Sequence, residues 1–159
     1  MMDDEQKIHR KFAVDLFNYT WDLLDKPQRT KQENDTMLHA AHASRYHWEK
    51  AGTALNLARG EWQVSRVYAI LNRAEPALYH AQLSLEICQG NDIGDFDLAF
   101  AYEALARASA VAGDIPARDR HLEQAVKSGQ AIVEAGDRKH FFSELQSIPG
   151  YDQFKPETR

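Results

Sequence analysis

The residues best suited to chemistry lie close together in the stretch DTMLHAAHASRYHWEK, residues 35–50, which holds three of the seven histidines. His39 and His42 stand at i and i+3, and Asp35 precedes His39 by four, so a helix places all three on one stripe within reach of one ion. Two imidazoles and a carboxylate suit zinc, iron, nickel or manganese, in an enzyme or a metal sensor. The signal is weak on its own: a hydrolytic zinc helix has Glu between histidines four apart, and no HExxH occurs here. His47 falls between stripes, and His9, His80, His121 and His140 have no paired spacing. A plainer reading stands beside the metal one. Met37, Ala41, Ser44, Trp48, Ala51, Leu55 and Ala58 make a packing stripe, with Asp35, His39, His42, Tyr46 and Lys50 on the face behind it.

Other chemistry is sparser. There is no phosphate loop, no nucleophile elbow and no Cys–His pair at an informative spacing. The single cysteine, Cys88, sits in the apolar run LSLEIC and reads as a buried, inert thiol. Asp3 with Asp4, and Asp95 with Asp97, read as anions at helix starts. A net charge of −5 argues against a non-specific nucleic-acid binder, and no apolar run is long enough to span a membrane. With a lone cysteine and no signal-like start, the expected location is the cytoplasm, and no cofactor is expected.

These residues must be held by helices, because start and stop signals divide almost the whole chain into about seven of them and no strand alternation appears. The expected boundaries are 4–25 before Pro27, and 30–58, opened by a Thr30/Glu33 capping box and closed before Gly60. Then come 61–73, 75–90 with Pro76 in its first turn, and 97–112 closed by Gly113. Asp114 caps a helix to about 135, before Gly136, and Asp137 caps a last one to 146. Residues 1–147 read as one all-α domain of antiparallel helices, with 148–159 as a tail partly disordered near its end. A closed helical bundle is the alternative architecture.

Residues 98–125 align with residues 57–84 at a spacing of 41, pairing Leu98 with Leu57, Leu105 with Val64, Ala106 with Ser65, and Val111 with Ile70. Within 98–125, Tyr102, Leu105, Ala106, the Gly113–Asp114–Ile115 turn, Leu122 and Ala125 resemble a tetratricopeptide repeat; Ser109 and Arg118 depart from its pattern. The resemblance covers about residues 57–147, in a longer-helix variant similar to that of kinesin light chain. Residues 1–56 are two atypical long helices that stack as a first pair or cap. It implies a short solenoid whose first helices line a concave groove. The groove positions it assigns are Phe100, Glu103, Arg107 and Val111, and 41 residues earlier Arg59, Trp62, Arg66 and Ile70.

Arg66 and Arg107 share a register, so two guanidiniums facing one groove would hold a partner's carboxylate or acidic side chains, with Trp62 and Phe100 as apolar anchors. Arg107 also has Glu103 four residues before it as an intrahelical partner. The expected function is a non-catalytic protein- or peptide-binding module. Metal chemistry at Asp35, His39 and His42, and self-association into a homo-oligomer through open solenoid ends, are the alternatives.

Overall fold

The first, second, sixth and seventh helices of this chain begin where a side-chain oxygen accepts the free N–H groups of the first turn. In the computed structural model, which describes residues 1–154, Asp3 accepts from Gln6 N at 2.8 Å and opens α1, Asp4–Leu24. Thr30 accepts from Glu33 N at 3.1 Å while Glu33 accepts from Thr30 N at 3.0 Å, the capping box expected for α2, Lys31–Ala51. The remaining helices are α3, Ala54–Ile70; α4, Ala74–Gly90; α5, Asp95–Ala112; α6, Ile115–Gln130; and α7, Ala135–Gln146, followed by a 3-10 turn at Tyr151–Gln153. The described residues are all-helical, packed as the neighbouring pairs α1/α2, α3/α4 and α5/α6 with α7 against α5 and α6. None of their helices is long and apolar enough to cross a membrane.

Three boundaries differ from the sequence expectation. The break between α2 and α3 falls at Gly52–Thr53, not at Gly60, because Asn56 accepts from Thr53 N at 3.0 Å and restarts the helix. Gly60 lies buried inside α3, where a Cβ would stand 3.1 Å from Arg45 Cδ, so its bareness serves the approach of α2. The sixth helix stops at Gln130, five residues early, because Ile132 turns inward and is 1% exposed. Glu134 then caps α7 by accepting from Gly136 N and Asp137 N at 2.9 and 2.6 Å, placing Gly136 in a first turn instead of at an end. Beyond α7, Ile148 belongs to the core and Tyr151 and Phe154 pack on it, so the expected tail folds back as far as residue 154. The disorder expected at its end falls on 155–159, outside the described residues.

The 41-residue register holds in the backbone. α3 and α5 start at Ala54 and Asp95, and α4 and α6 at Ala74 and Ile115. Gly113 turns α5 into α6 with φ 73°, and Asp114 N donates to Ser109 O at 3.1 Å. At the equivalent α3–α4 turn Asn72 takes the same left-handed conformation, φ 60°, with Arg73 N donating to Tyr68 O at 2.9 Å. Asn tolerates that region better than most residues, so the reversal survives without glycine.

Within each pair the helices meet along small residues: Ala13 and Ser44 join α1 to α2, Ala58, Ser65, Ala77 and Ser84 join α3 to α4, and Ala106 and Ala125 lie in equivalent places on α5 and α6. The buried serines meet the partner backbone directly, Ser44 Oγ donating to Ala13 O, Ser65 Oγ to Ala77 O and Ser84 Oγ to Ala58 O at 2.8–2.9 Å. Between pairs the fillers are large: Met37, Val64 and Val67 on one side, Phe100, Leu122, Phe141 and Leu145 on the other.

Gly129 is the tightest point of the last junction, since a Cβ there would run into the Phe141 ring and come within 3.0 Å of Phe142 Cζ. Gly129→Ala is therefore expected to cost about 1–3 kcal/mol through overpacking. Gly90→Ala, with nothing within 4 Å of its Cβ, is expected to be neutral or to stabilise slightly. Urea unfolding followed by circular dichroism compares the two; equal midpoints would contradict a close α6–α7 contact.

Candidate functional site

The histidine stretch behaves as a helix face in tertiary contact. Met37, Ala41, Ser44 and Trp48 are buried, and Asp35, His39, His42, Tyr46 and Lys50 lie on the exposed side of α2. Asp35 is taken by Lys31 at 2.7 Å, and His42 Nε2 shares a 2.9 Å hydrogen bond with Tyr68 Oη of α3. His80 of α4 stacks on Tyr68, with ring centroids 5.7 Å apart, and donates from Nδ1 to Glu61 Oε2 at 2.6 Å, while Arg45 Nε donates to Glu61 Oε1 at 2.8 Å. The buried Glu61 thus ties α2 to α4. Among the described residues no three His, Cys, Asp or Glu side chains converge as an ion would need, Asp35, His39 and His42 included. His47 meets His9 of α1 instead, their Nδ1 atoms 2.8 Å apart, so one proton lies between the two rings.

Burial and the neighbouring His80 lower the pKa of His42, burial and His9 lower that of His47, and burial and Arg120 lower that of His121. Cys88 is buried as expected; burial, with the charge of Asp97, pushes its thiol up to about 11 and leaves it unreactive.

Arg66 and Arg107 do face each other, as their register demands, but the space between them is filled. Glu103, 0% exposed, lies behind both: Arg107 Nη2 is 2.7 Å and Arg66 Nη2 3.5 Å from its Oε1. From the other side comes α7. Arg66 Nη2 donates to Glu144 Oε2 at 2.8 Å, and Arg107 Nη2 donates to Glu144 O at 3.0 Å and Ser147 Oγ at 2.8 Å. Burial alone would raise the Glu144 carboxyl, but the Arg66 hydrogen bond and the charges of Arg66, Arg107 and His140 outweigh it and hold it below the ordinary carboxylate value. The expectation of two guanidiniums open to a partner is corrected accordingly: they dock α7, and Glu103 is internal rather than on a groove wall. Ile70, one turn beyond Arg66, is exposed on the surface and lines no cavity with Trp62 or Phe100.

The two expected aromatic anchors do share an open site. A cavity of about 270 Å³ lies among α1, α3, α5 and α7, walled by Phe17, Trp21, Trp62, Phe96 and Phe100 over a floor of Ala58 and Ser84. The rings touch in sequence: Trp21 on Trp62 at 5.6 Å, Trp62 edge-on to Phe100 at 5.5 Å, and Phe100 against Phe96 at 4.6 Å. The Arg66 guanidinium lies over the Trp62 ring at 5.3 Å and fixes it. Arg59, Asp97, His140 and Glu144 supply the polar part of the lining. Arg59 grips Asp97 with two bonds, 2.8 and 3.2 Å, and remains half exposed.

Asp95, at the start of α5, takes φ 52°, an uncommon value for a residue with a side chain. Its carboxylate holds it there, accepting from Phe96 N at 2.7 Å and from Val133 N of the α6–α7 turn at 3.2 Å. That contact sets the entry of the segment bearing Phe96, Asp97 and Phe100. Phe17/Trp21 and Phe96/Phe100 are each spaced i, i+4, the sequence signal for aromatic pairs on one face. Glu144 and His140 have no such signal, because only the docking of α7 brings them there.

No protein-family model, no curated protein and no solved structure matches the chain.

Arg107→Met is expected to lower stability by about 3 kcal/mol by leaving a buried carboxylate underpaired, and adding Glu103→Leu is expected to recover most of it. Urea titration measures both, and a double variant no better than the single one would contradict the role given to Glu103. The three lowered histidines set a separate pH window. Their folded values lie below 6.5, so the unfolded chain takes up protons first and stability falls as pH drops below about 6.5. The depressed carboxyls of Glu33, Glu134 and Glu144 matter only at lower pH, since their ordinary value is 4.5. Tm should be lower at pH 5.5 than at pH 7.5, with the gap narrowed in His42→Gln/His47→Gln; a flat Tm would contradict it.

Proposed function

We propose that this chain is a non-catalytic binding module with tetratricopeptide-like helical hairpins, which takes a protein or peptide partner by seating a large apolar side chain in the α1/α3/α5/α7 cavity. The observation that carries the reading is the five-ring wall around an unfilled, mostly apolar space, reached past a half-exposed arginine. Concave, largely apolar sites with a few placed polar groups are where proteins bind ligands, and buried aromatic anchors supply most of the affinity of an interface. The matching starts of α3 with α5 and α4 with α6 support the repeat. Acidic groups or a terminal carboxylate of the partner would meet Arg59, which stays half exposed beside its bonds to Asp97, since Arg66 and Arg107 are mostly buried against α7.

A selection from random twelve-residue peptides tests this. The expected winners share one Trp, Phe or Leu, and Trp62→Ala weakens them by roughly thirtyfold or more, the cost of a lost anchor, while circular dichroism stays helical. Arg59→Glu should weaken acidic winners selectively. Winners without an apolar consensus, or indifferent to Trp62→Ala, would overturn the reading.

A further inference from the structure

Among residues 1–12 every side chain is exposed except that of His9, which is half-buried. The first turns of α1, residues 4–12, therefore depend on few ties to α2, and these converge on His47 and Trp48. His9 Nδ1 lies 2.8 Å from His47 Nδ1, the Phe12 and His47 ring centroids are 5.4 Å apart, and the Arg10 guanidinium lies over Trp48 at 5.4 Å.

The bridge between the two imidazoles has a fixed proton capacity. A 2.8 Å approach of two Nδ1 atoms requires that one donate and the other accept. Glu5 Oε1 stands 3.8 Å from His9 Nε2, which favours a proton on that nitrogen and leaves His9 Nδ1 to accept from His47 Nδ1. One further proton fits on His47 Nε2 without disturbing the bridge. A second does not, because it would put hydrogens on both Nδ1 atoms. The groups facing the pair come from α1 and α2 and offer little relief for two positive rings. Arg10 lies over Trp48, Lys11 over the Phe12 ring at 6.0 Å and Lys50 over the Tyr46 ring at 5.1 Å, and both of these rings touch His47. Against these cations stand Glu5 and Asp15, and Asp15 is already held by Lys11 at 2.5 Å.

We infer that the first turns of α1 form a pH-operated latch: the His9–His47 bridge holds them on α2 at neutral pH, and the second proton taken up by the pair releases them while the other helices stay packed. Docked, the pair takes up one proton; released, it takes up two. Release is therefore favoured as pH falls below the ordinary histidine value of about 6.5, by roughly tenfold at pH 5.0. Burial and the neighbouring His9 lower the pKa of His47, the direction this requires. A segment this short has little to keep it helical away from its neighbour, so release is read as lost amide protection.

Hydrogen exchange of the full chain, corrected for the intrinsic pH dependence of exchange, tests the latch. Protection of the amides of residues 8–12 is expected to fall roughly tenfold between pH 7.5 and 5.0, with α3 to α6 unchanged. His42→Gln should leave that fall intact. His47→Gln should abolish it, since a glutamine amide both donates and accepts and takes no charge. Constant protection in the wild type, a fall spread evenly over all helices, or a fall that persists in His47→Gln overturns the inference. The ring nitrogen shifts of ¹⁵N-labelled wild type give a reading that needs no variant. His9 and His47 are expected to titrate in two steps about one pH unit or more apart, the lower step coinciding with the loss of protection; one shared step near the ordinary histidine value overturns the latch as well.

Discussion

How closely the two helices of a hairpin can approach decides where every large side chain of this molecule must go. The seams are built from residues with almost no side chain, and where a serine stands in place of alanine its hydroxyl spends itself on the partner's backbone, as Ser44, Ser65 and Ser84 do. Packing to interior density leaves no room there for rings. Large side chains are consequently displaced to the spaces between hairpins, where Met37, Leu122, Phe141 and Leu145 are completely buried. The aromatic cavity lies where α1, α3, α4, α5 and α7 come together around a set of displaced rings. It is a product of the seams, not an accident of the surface.

What could be read from the sequence tracks the range of the interaction involved. The Thr30/Glu33 box, the Gly113–Asp114 turn and the 41-residue spacing all express contacts within a few residues or a strict register, and the backbone keeps each of them. Glycine misleads, because its bareness has two uses that look alike in a linear sequence. Gly60 admits Arg45 from α2, and Gly136 sits in a capped first turn, yet either composition alone suggests a helix end. The true break at Gly52–Thr53 carries its own signal in the Thr53/Asn56 pair, weaker than the Thr30/Glu33 box because asparagine is the shorter arm.

The site divides the same way. Trp62 and Phe100 are legible through the repeat register, and so is the meeting of Arg66 with Arg107. The meaning of that meeting is not. Two like charges brought into register require a counter-charge, and the nearest in sequence, Glu103, is drawn between them and buried. Having been buried with one oxygen unpartnered, it makes both arginines necessary to the core. Glu144 completes the set from 78 residues beyond Arg66, a separation at which no local pattern gives warning. The histidines tell a parallel story: spacing on α2 admits a metal, but Tyr68 of α3 claims His42 and Lys31 claims Asp35 before any ion can.

The arginine network gives the cavity a property that a groove between bare helices would lack. α7 contributes His140 and Glu144 to its lining, and α7 is held by the fully buried Phe141 and Leu145 as well as by both guanidiniums. A wall anchored in the core would not have to be ordered by the partner proposed for it. Much of what association costs is the freezing of side chains and loops at the interface, so under the proposed function an already fixed set of five rings would convert more of its contact into affinity. The same rigidity narrows what can enter. A flexible groove adapts to many shapes, whereas Trp62, clamped between Arg66 on one face and its aromatic neighbours, accepts only a group that fits the space as it stands. The charges buried behind the cavity therefore keep its aromatic wall in one arrangement, and under the proposed binding function that is the route by which they would act on recognition.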